Sequence, residues 1–143
     1  MKRSAALAGL SRDHHEALAV ALRLRRSETL TAAEAAERFA EYFARRGERH
    51  FELEEAVLVP LFPSLPDGEA LRERLLREHA ALRKRGAPVA AGQAPVDDLH
   101  RLGEALEAHV RFEERELFPL LERELSDADL AEVGKSLAAA HAD

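Results

Sequence analysis

The segment His109-Val-Arg-Phe-Glu113-Glu-Arg-Glu-Leu-Phe-Pro119 repeats the pattern of an earlier one, His50-Phe-Glu-Leu-Glu54-Glu-Ala-Val-Leu-Val-Pro60. Each begins with a histidine, has a glutamate four residues later, follows it with a second glutamate, and ends in a proline. On a helix, residues four apart lie on one face, so each segment directs an imidazole and a carboxylate the same way. The duplicated HxxxE spacing therefore predicts two helices that carry matching polar groups.

Both HxxxE pairs fall on apolar stripes, the faces that helices bury. The apolar members are Leu99, Leu102, Leu106, Leu117 and Leu120 in one segment, and Phe39, Phe43, Val57 and Leu61 in the other. Burying a glutamate is costly unless the carboxylate is paired, protonated or bound to a metal. Glu54 and Glu113 are therefore the unusual residues, and their histidine partners indicate a bound cation. Glu55 and Glu114 fall about 100° off the stripes and are expected to be solvated.

The composition favours a single all-α domain spanning residues 1–143. The chain is rich in alanine, leucine, glutamate and arginine, and its formal charge of −6 argues against a nucleic-acid partner. It has no cysteine, which excludes disulfides and thiolate metal ligands. No apolar run approaches the roughly 20 residues that span a bilayer, and the N-terminus lacks a signal-peptide core, so we expect a cytoplasmic protein without membrane contact.

Start and stop signals predict five helices. The first covers about 11–26, and the second begins at a capping box formed by Thr31 and Glu34 and runs towards Pro60. The third covers about 67–85, and a linker is expected at 86–95 because it contains two prolines and two glycines. The fourth runs from about Asp97 past Pro119, and a short fifth helix at about 126–141 is capped by Ser126.

A second repeat links the first and third helices. His15-Glu-Ala-Leu18 on the first resembles His79-Ala-Ala-Leu82 on the third, so HxxL and HxxxE helices alternate along the chain. Two similar helical hairpins stacked antiparallel make an up-down four-helix bundle, covering about residues 10–122, with four histidines and two glutamates converging inside.

The first-helix histidine is not fixed by helical phase, because His14 and His15 both fall near the edges of the apolar stripe. The match with His79 and Leu82 selects His15 and leaves His14 exposed or in an outer, hydrogen-bonding position. His100 lacks such companions and is expected at the surface. The arginines at 23, 25, 26, 45, 46 and 49 are interpreted as a solvated face rather than an anion site.

The predicted metal ligands are His15, His50, Glu54, His79, His109 and Glu113. Imidazole with carboxylate suits iron, manganese or zinc rather than calcium or magnesium. The two glutamates can bridge two metal ions while the four histidines complete their coordination, which leaves open positions for an external ligand. Each ligating histidine should donate its other N–H to an acceptor that fixes its orientation.

This pattern resembles the hemerythrin-like, or HHE cation-binding, family over about residues 10–122. The resemblance implies a non-haem centre of two iron ions in an up-down four-helix bundle. Glu54 and Glu113 would bridge, His15 and His50 would complete one iron, and His79 and His109 the other.

One position departs from the family pattern. Oxygen-carrying hemerythrins have a second histidine four residues before the third-helix histidine, and Leu75 stands there in this chain. The loss of that ligand argues against simple reversible oxygen carriage. The resemblance instead implies a metal pair that reacts with a small diatomic or peroxide ligand, namely dioxygen, peroxide or nitric oxide. The alternative is an iron- or oxygen-sensing module without turnover, and the electron donor is not defined by the sequence.

Overall fold

The computed structural model describes residues 2–141, which form helices and short loops without a β-strand. The all-α prediction is therefore confirmed for this part of the chain. The α-helices are α1 (Ala8–Arg26), α2 (Ala32–Tyr42), α3 (Glu48–Leu53), α4 (Gly68–Ala90), α5 (Val96–Phe112), α6 (Phe118–Glu124) and α7 (Asp127–His141). None of these helices is both long enough and apolar enough to cross a membrane.

Two stretches of the chain are helical throughout but change their winding. In the first HxxxE arm (residues 32–64), π-helical segments at Phe43–Gly47 and Glu54–Leu58 flank α3, and a 3-10 helix at Val59–Ser64 follows. In the second HxxxE arm (residues 96–124), one π-helical segment, Glu113–Leu117, joins α5 to α6. A single helix was predicted in each arm, and the π-helical segments that interrupt it often mark functional sites.

Two boundary predictions are wrong. Thr31 does not cap α2 with its side chain, because its hydroxyl accepts a hydrogen bond from the backbone N–H of Glu28 at 2.9 Å. The expected linker at 86–95 is helical as far as Ala90. Gly86 serves packing there rather than a turn, since a Cβ atom at this position would lie 2.8 Å from Cζ of Phe39. By contrast, the Ser126 hydroxyl does accept from the Asp129 N–H at 3.1 Å, as predicted for the start of α7.

Four helices, α1, α2, α4 and α5, are neighbours in a ring. Helix α1 packs against α5 and α2, and α4 packs against the same two helices. Helix α7 packs on the π-helical segment Glu54–Leu58. The interior contains two apolar cores, one around Phe39, Leu24 and Leu102, the other around Phe62, Phe118 and Leu121.

A layer of buried polar side chains separates these two cores. Along α1, Leu10 belongs to one core, Ala17 belongs to the other, and His14 lies between them. The same order holds on α4, where His79 falls between Leu75 and Leu82. The helices therefore bring their histidines to one level of the bundle.

Candidate metal centre

Six histidine and glutamate side chains meet in the polar layer, each no more than 5% exposed. They are His14, His50, Glu54, His79, His109 and Glu113. Their ligand atoms form two overlapping groups, in each of which all atoms lie within 4.8 Å of one another. The first group contains His14 and His50, the second contains His79 and His109, and both contain Glu54 and Glu113.

The two glutamates occupy the middle of the cluster. Glu113 Oε1 lies 2.8 Å from His14 Nε2 and 3.4 Å from His50 Nε2, while its Oε2 lies 3.0 Å from His109 Nε2. Glu54 spans the cluster in the same way, with Oε2 at 3.2 Å from His50 Nε2 and Oε1 at 3.1 Å from His79 Nε2. Each carboxylate therefore touches histidines of both groups, which is the geometry that a bridging carboxylate needs.

Several of these atoms have no hydrogen-bond partner. Among the described residues, four buried side-chain nitrogen or oxygen atoms are unsatisfied, and three are Glu54 Oε2, Glu113 Oε2 and His109 Nε2. His109 Nε2 and Glu113 Oε2 are close but not aligned for a hydrogen bond with each other. Buried polar atoms are normally satisfied, so lone pairs aimed at a common space fit the chemistry of a cation site.

The structure places His14, rather than the predicted His15, in the cluster. His14 is 4% exposed and belongs to the cluster, whereas His15 is exposed and lies outside it. The buried stripe of α1 runs through Leu10, His14, Ala17, Ala21 and Leu24. Leu18, which was matched to Leu82, is 38% exposed, whereas Leu82 is 4% exposed. Ala17 is the true counterpart of Leu82, and small side chains at 17 and 21 concealed the stripe.

The other predicted residues lie where the repeat placed them. His50, Glu54, His79, His109 and Glu113 all belong to the cluster. Leu75 lies one turn before His79 and is fully buried, so it adds apolar surface and no lone pair at that level. His100 is outside the cluster and half-buried, with Nε2 at 2.7 Å from the carbonyl oxygen of Ser27.

Each cluster histidine directs Nδ1 at a carboxylate outside the cluster. The pairs are His14 with Glu114 at 2.6 Å, His50 with Asp13 at 3.0 Å, His79 with Glu55 at 2.7 Å and His109 with Glu78 at 2.7 Å. An ionised carboxylate only accepts hydrogen bonds, so Nδ1 carries the proton and Nε2 faces the interior. Such outer hydrogen bonds orient metal-binding imidazoles and make them more basic.

The expectation that Glu55 and Glu114 are simply solvated is therefore wrong. Both glutamates do lie off the apolar stripes, as helical phase predicts. Each nevertheless accepts a hydrogen bond from a histidine of another helix. The sequence carried a signal for the whole set. An acid precedes each HxxL-helix histidine, in Asp13-His14 and Glu78-His79, and a second glutamate follows each HxxxE. Aligning the acid–histidine pairs selects His14 rather than His15.

An arginine backs each of the four outer carboxylates. The closest N–O distances are 3.1 Å for Arg3 with Glu114, 3.5 Å for Arg46 with Asp13, 2.9 Å for Arg83 with Glu55 and 2.9 Å for Arg74 with Glu78. For Glu55, Glu78 and Glu114, the surrounding donors favour the ionised carboxylate. Burial alone raises the pKa of Glu55, Glu78 and Glu114, but hydrogen bonds from arginine, histidine or serine outweigh it, so each pKa lies below its usual value.

Without a cation, the clustered carboxylates hold protons on the imidazoles. Burial alone lowers the pKa of His109, but the charge of Glu113 and the hydrogen bond to Glu78 outweigh burial and raise the pKa to about 10. Burial likewise lowers the pKa of His79, which Glu113 and Glu54 raise to about 9. Burial raises the pKa of Glu113, yet the surrounding histidines bring it well below its usual value. The cluster thus concentrates negative charge that a proton or a metal ion must balance.

Comparison with known proteins bears on this site. A family model described as the hemerythrin HHE cation binding domain matches residues 6–121, which include all six cluster residues. Helix α7 lies beyond the matched range. Searches of curated proteins and of solved structures found no match.

Proposed function

The chain belongs to the family of hemerythrin HHE cation-binding domains, and from this premise we propose that it is a non-haem di-iron protein. Its metal pair would bind or react with dioxygen, peroxide or nitric oxide. The observation that carries the proposal is the pair of overlapping ligand groups that share Glu54 and Glu113. One isolated group would suit a single ion, whereas two groups with shared carboxylates suit two.

The residues fit the proposed metal pair in number and type. His14 and His50 would hold one ion, His79 and His109 the other, and Glu54 and Glu113 would bridge them. An all-nitrogen and oxygen ligand set is suited to iron, with manganese or zinc as alternatives. The ring of neighbouring helices supports, for the proposed fold, an up-down antiparallel four-helix bundle with α7 added.

The protein contributes orientation, charge and exclusion of water. The outer carboxylates fix each imidazole with Nε2 inward. The two apolar cores lie on either side of the cluster, and each of its six side chains is no more than 5% exposed, so solvent has little access to them. Bound iron would supply the electrons that small oxidants accept. With six protein ligands and a leucine at position 75, two bound ions would retain positions for an external molecule, and this favours reaction over simple oxygen storage.

The experiment begins with metal analysis of protein purified without oxygen, where we expect two iron ions per chain. Stopped-flow absorbance then follows the reduced, iron-loaded protein mixed with dioxygen, hydrogen peroxide or nitric oxide. We expect rapid oxidation or adduct formation with at least one of them. One ion per chain at full loading would reject the bridged pair, and inertness towards all three oxidants would favour a sensing module instead.

The Leu75→His variant tests the role of the missing ligand. Leu75 is one turn from His79, so an imidazole at 75 would add a nitrogen ligand to the His79 ion and close an open position. We expect the variant to lose peroxide or nitric-oxide reactivity and to form a longer-lived oxygen adduct. Leu75→Met, of similar volume, is the control for repacking. Reversible oxygen binding by the parent protein itself would contradict this expectation.

A further inference from the structure

One cavity, with a volume of about 370 Å³, lies beside the candidate metal centre and shares His50 with it. Its lining includes His50, Asp13, Arg45, Arg46 and Arg49, together with Ala140 of α7. His50 is the point at which this cavity meets the cluster. The structure thus brings three arginines, interpreted from sequence as a solvated face, into one concave site beside a candidate ligand.

Among residues 2–141, the lining of the cavity carries more positive than negative charge. Arg45 pairs with Glu16, and Arg46 bonds Glu16 at 3.0 Å and Asp13 at 3.5 Å. The Arg49 guanidinium donates to the carbonyl oxygen of Ala140 at 3.3 Å, and no carboxylate of residues 2–141 lies within ion-pair distance of it. Among the described residues, three guanidinium groups therefore line the cavity with one carboxylate, Asp13, while Glu16 pairs with two of them from outside the lining, in a protein whose net charge is −6.

The arginine beside Asp13 also differs from the arginines beside the other three outer carboxylates. Each of the other arginines lies over a phenylalanine ring, with guanidinium-to-centroid distances of 5.6 Å for Arg3, 3.9 Å for Arg74 and 5.4 Å for Arg83. Arg46 makes the longest carboxylate contact of the four, and half of its side chain is exposed. Among the described residues, Arg46 is therefore the arginine of this set that is not held against an aromatic ring, although it also pairs with Glu16 at 3.0 Å.

We propose that this cavity is a binding site for a small inorganic oxyanion, of the size of nitrite or nitrate, held by Arg45, Arg46 and Arg49 next to His50. The planar guanidinium group presents paired N–H donors that match the oxygen atoms of such an ion. Binding itself is independent of the reaction at the metal pair. A role of the anion as a reactant or product at the metal pair would, by contrast, rest on the proposed function.

The test uses the metal-loaded protein and sodium nitrate as the probe, followed by isothermal titration calorimetry at low ionic strength. We expect one saturable site per chain. A hydrogen bond to a charged group contributes about 1.5–3 kcal/mol, so Arg49→Gln should weaken nitrate binding about tenfold or more. Arg101→Gln is the matched control, since Arg101 is 65% exposed, contacts Asp98 at 3.7 Å and does not line the cavity.

Thermal melting and metal analysis establish that each variant is folded and loaded, and Arg46→Gln repeats the test at a second wall residue. Absence of saturable nitrate binding, or an equal loss in Arg101→Gln, would overturn the proposal. Nitrate binding by a protein that is inert to dioxygen, peroxide and nitric oxide would support the anion site and reject the proposed function. Full reactivity without nitrate binding would do the reverse.

Discussion

His14 and His15 are adjacent in sequence but point to different environments, one buried in the cluster and one exposed. This difference makes them a matched pair at the scale of single residues. Replacing His14 removes an inward nitrogen 2.8 Å from Glu113, whereas replacing His15 alters only the surface.

We predict that His14→Ala lowers metal affinity by more than the roughly 10–100-fold that removal of an outer hydrogen-bond partner typically causes. His15→Ala should retain the metal content of the parent. The measurement is metal per chain after dialysis against a graded series of chelator concentrations. Equal retention by the two variants would contradict the placement of His14, and selective loss in His15→Ala would restore the original prediction.

A second residue-scale prediction compares neighbouring glutamates on one arm. Glu54 lies inside the cluster, whereas Glu55 accepts a hydrogen bond from His79 Nδ1 at 2.7 Å. Glu55→Gln should weaken metal binding by roughly 10–100-fold, because the amide orients His79 less firmly. Glu54→Gln should weaken it further, since it removes a shared ligand charge.

Glu52→Gln, at an exposed position on the same HxxxE arm, is the control for charge alone. The order of chelator sensitivity should be Glu54→Gln, then Glu55→Gln, then Glu52→Gln. If Glu55→Gln behaved like Glu52→Gln, the outer carboxylate would have no orienting role.

At the scale of elements, the contact between α1 and α5 depends on a glycine. A Cβ atom at Gly103 would lie 2.7 Å from the carbonyl oxygen of Ala21 and 3.0 Å from the backbone nitrogen of Arg25. These are backbone atoms, so the helices would have to separate. Gly134 on α7 is different, because a Cβ there would meet Ala6 at 3.4 Å, an ordinary contact.

We predict that Gly103→Ala destabilises the protein by about 1–3 kcal/mol through overpacking. Gly134→Ala should stabilise it by about 0.5–1 kcal/mol, because alanine has the higher helix propensity. Urea denaturation of both variants in the metal-free state gives the two free energies of unfolding. Stabilisation by Gly103→Ala would show that α1 and α5 do not approach as closely as described.

For the whole molecule, the cluster couples stability to pH and to metal. In the metal-free protein the pKa of His79 is about 9 and that of His109 about 10, both above the ordinary value of 6.5. A histidine whose pKa is raised in the folded state stabilises the folded protein. That contribution is fully present below pH 6.5 and is lost as the pH rises through about 10. The low pKa of Glu113 acts oppositely, and its contribution is lost as pH falls below its ordinary value of 4.5.

We therefore predict that the melting temperature of the chelated protein falls steadily between pH 6.5 and 10. Metal binding displaces the imidazole protons, so the affinity for metal rises with pH. The melting temperature of the loaded protein should therefore rise relative to that of the chelated protein. Thermal melts of both forms across this range provide the comparison. A metal-free melting temperature that rises with pH, or that equals that of the loaded form throughout, would refute the coupling.

The sequence by itself determined the parts of the site that local helix geometry fixes. Residues four apart on an apolar stripe must share a buried face, so His50 with Glu54 and His109 with Glu113 followed from spacing alone. The all-α class and the position of His79 followed from the same periodicity. The repeat supplied the pairing of the two arms without any knowledge of how they pack.

Only the tertiary structure decided what depends on contacts between helices. His14 rather than His15 lies in the cluster because packing on α5 and α2 sets the rotation of α1. In this orientation Ala17 and Ala21 are buried and Leu18 is exposed. Glu55 and Glu114 leave their own stripes, and their histidines come from other helices. The arginine-lined cavity likewise joins α1, the first HxxxE arm and α7. Helical periodicity specifies which side chains share a face, but the neighbour of that face is specified by the packing of the whole chain.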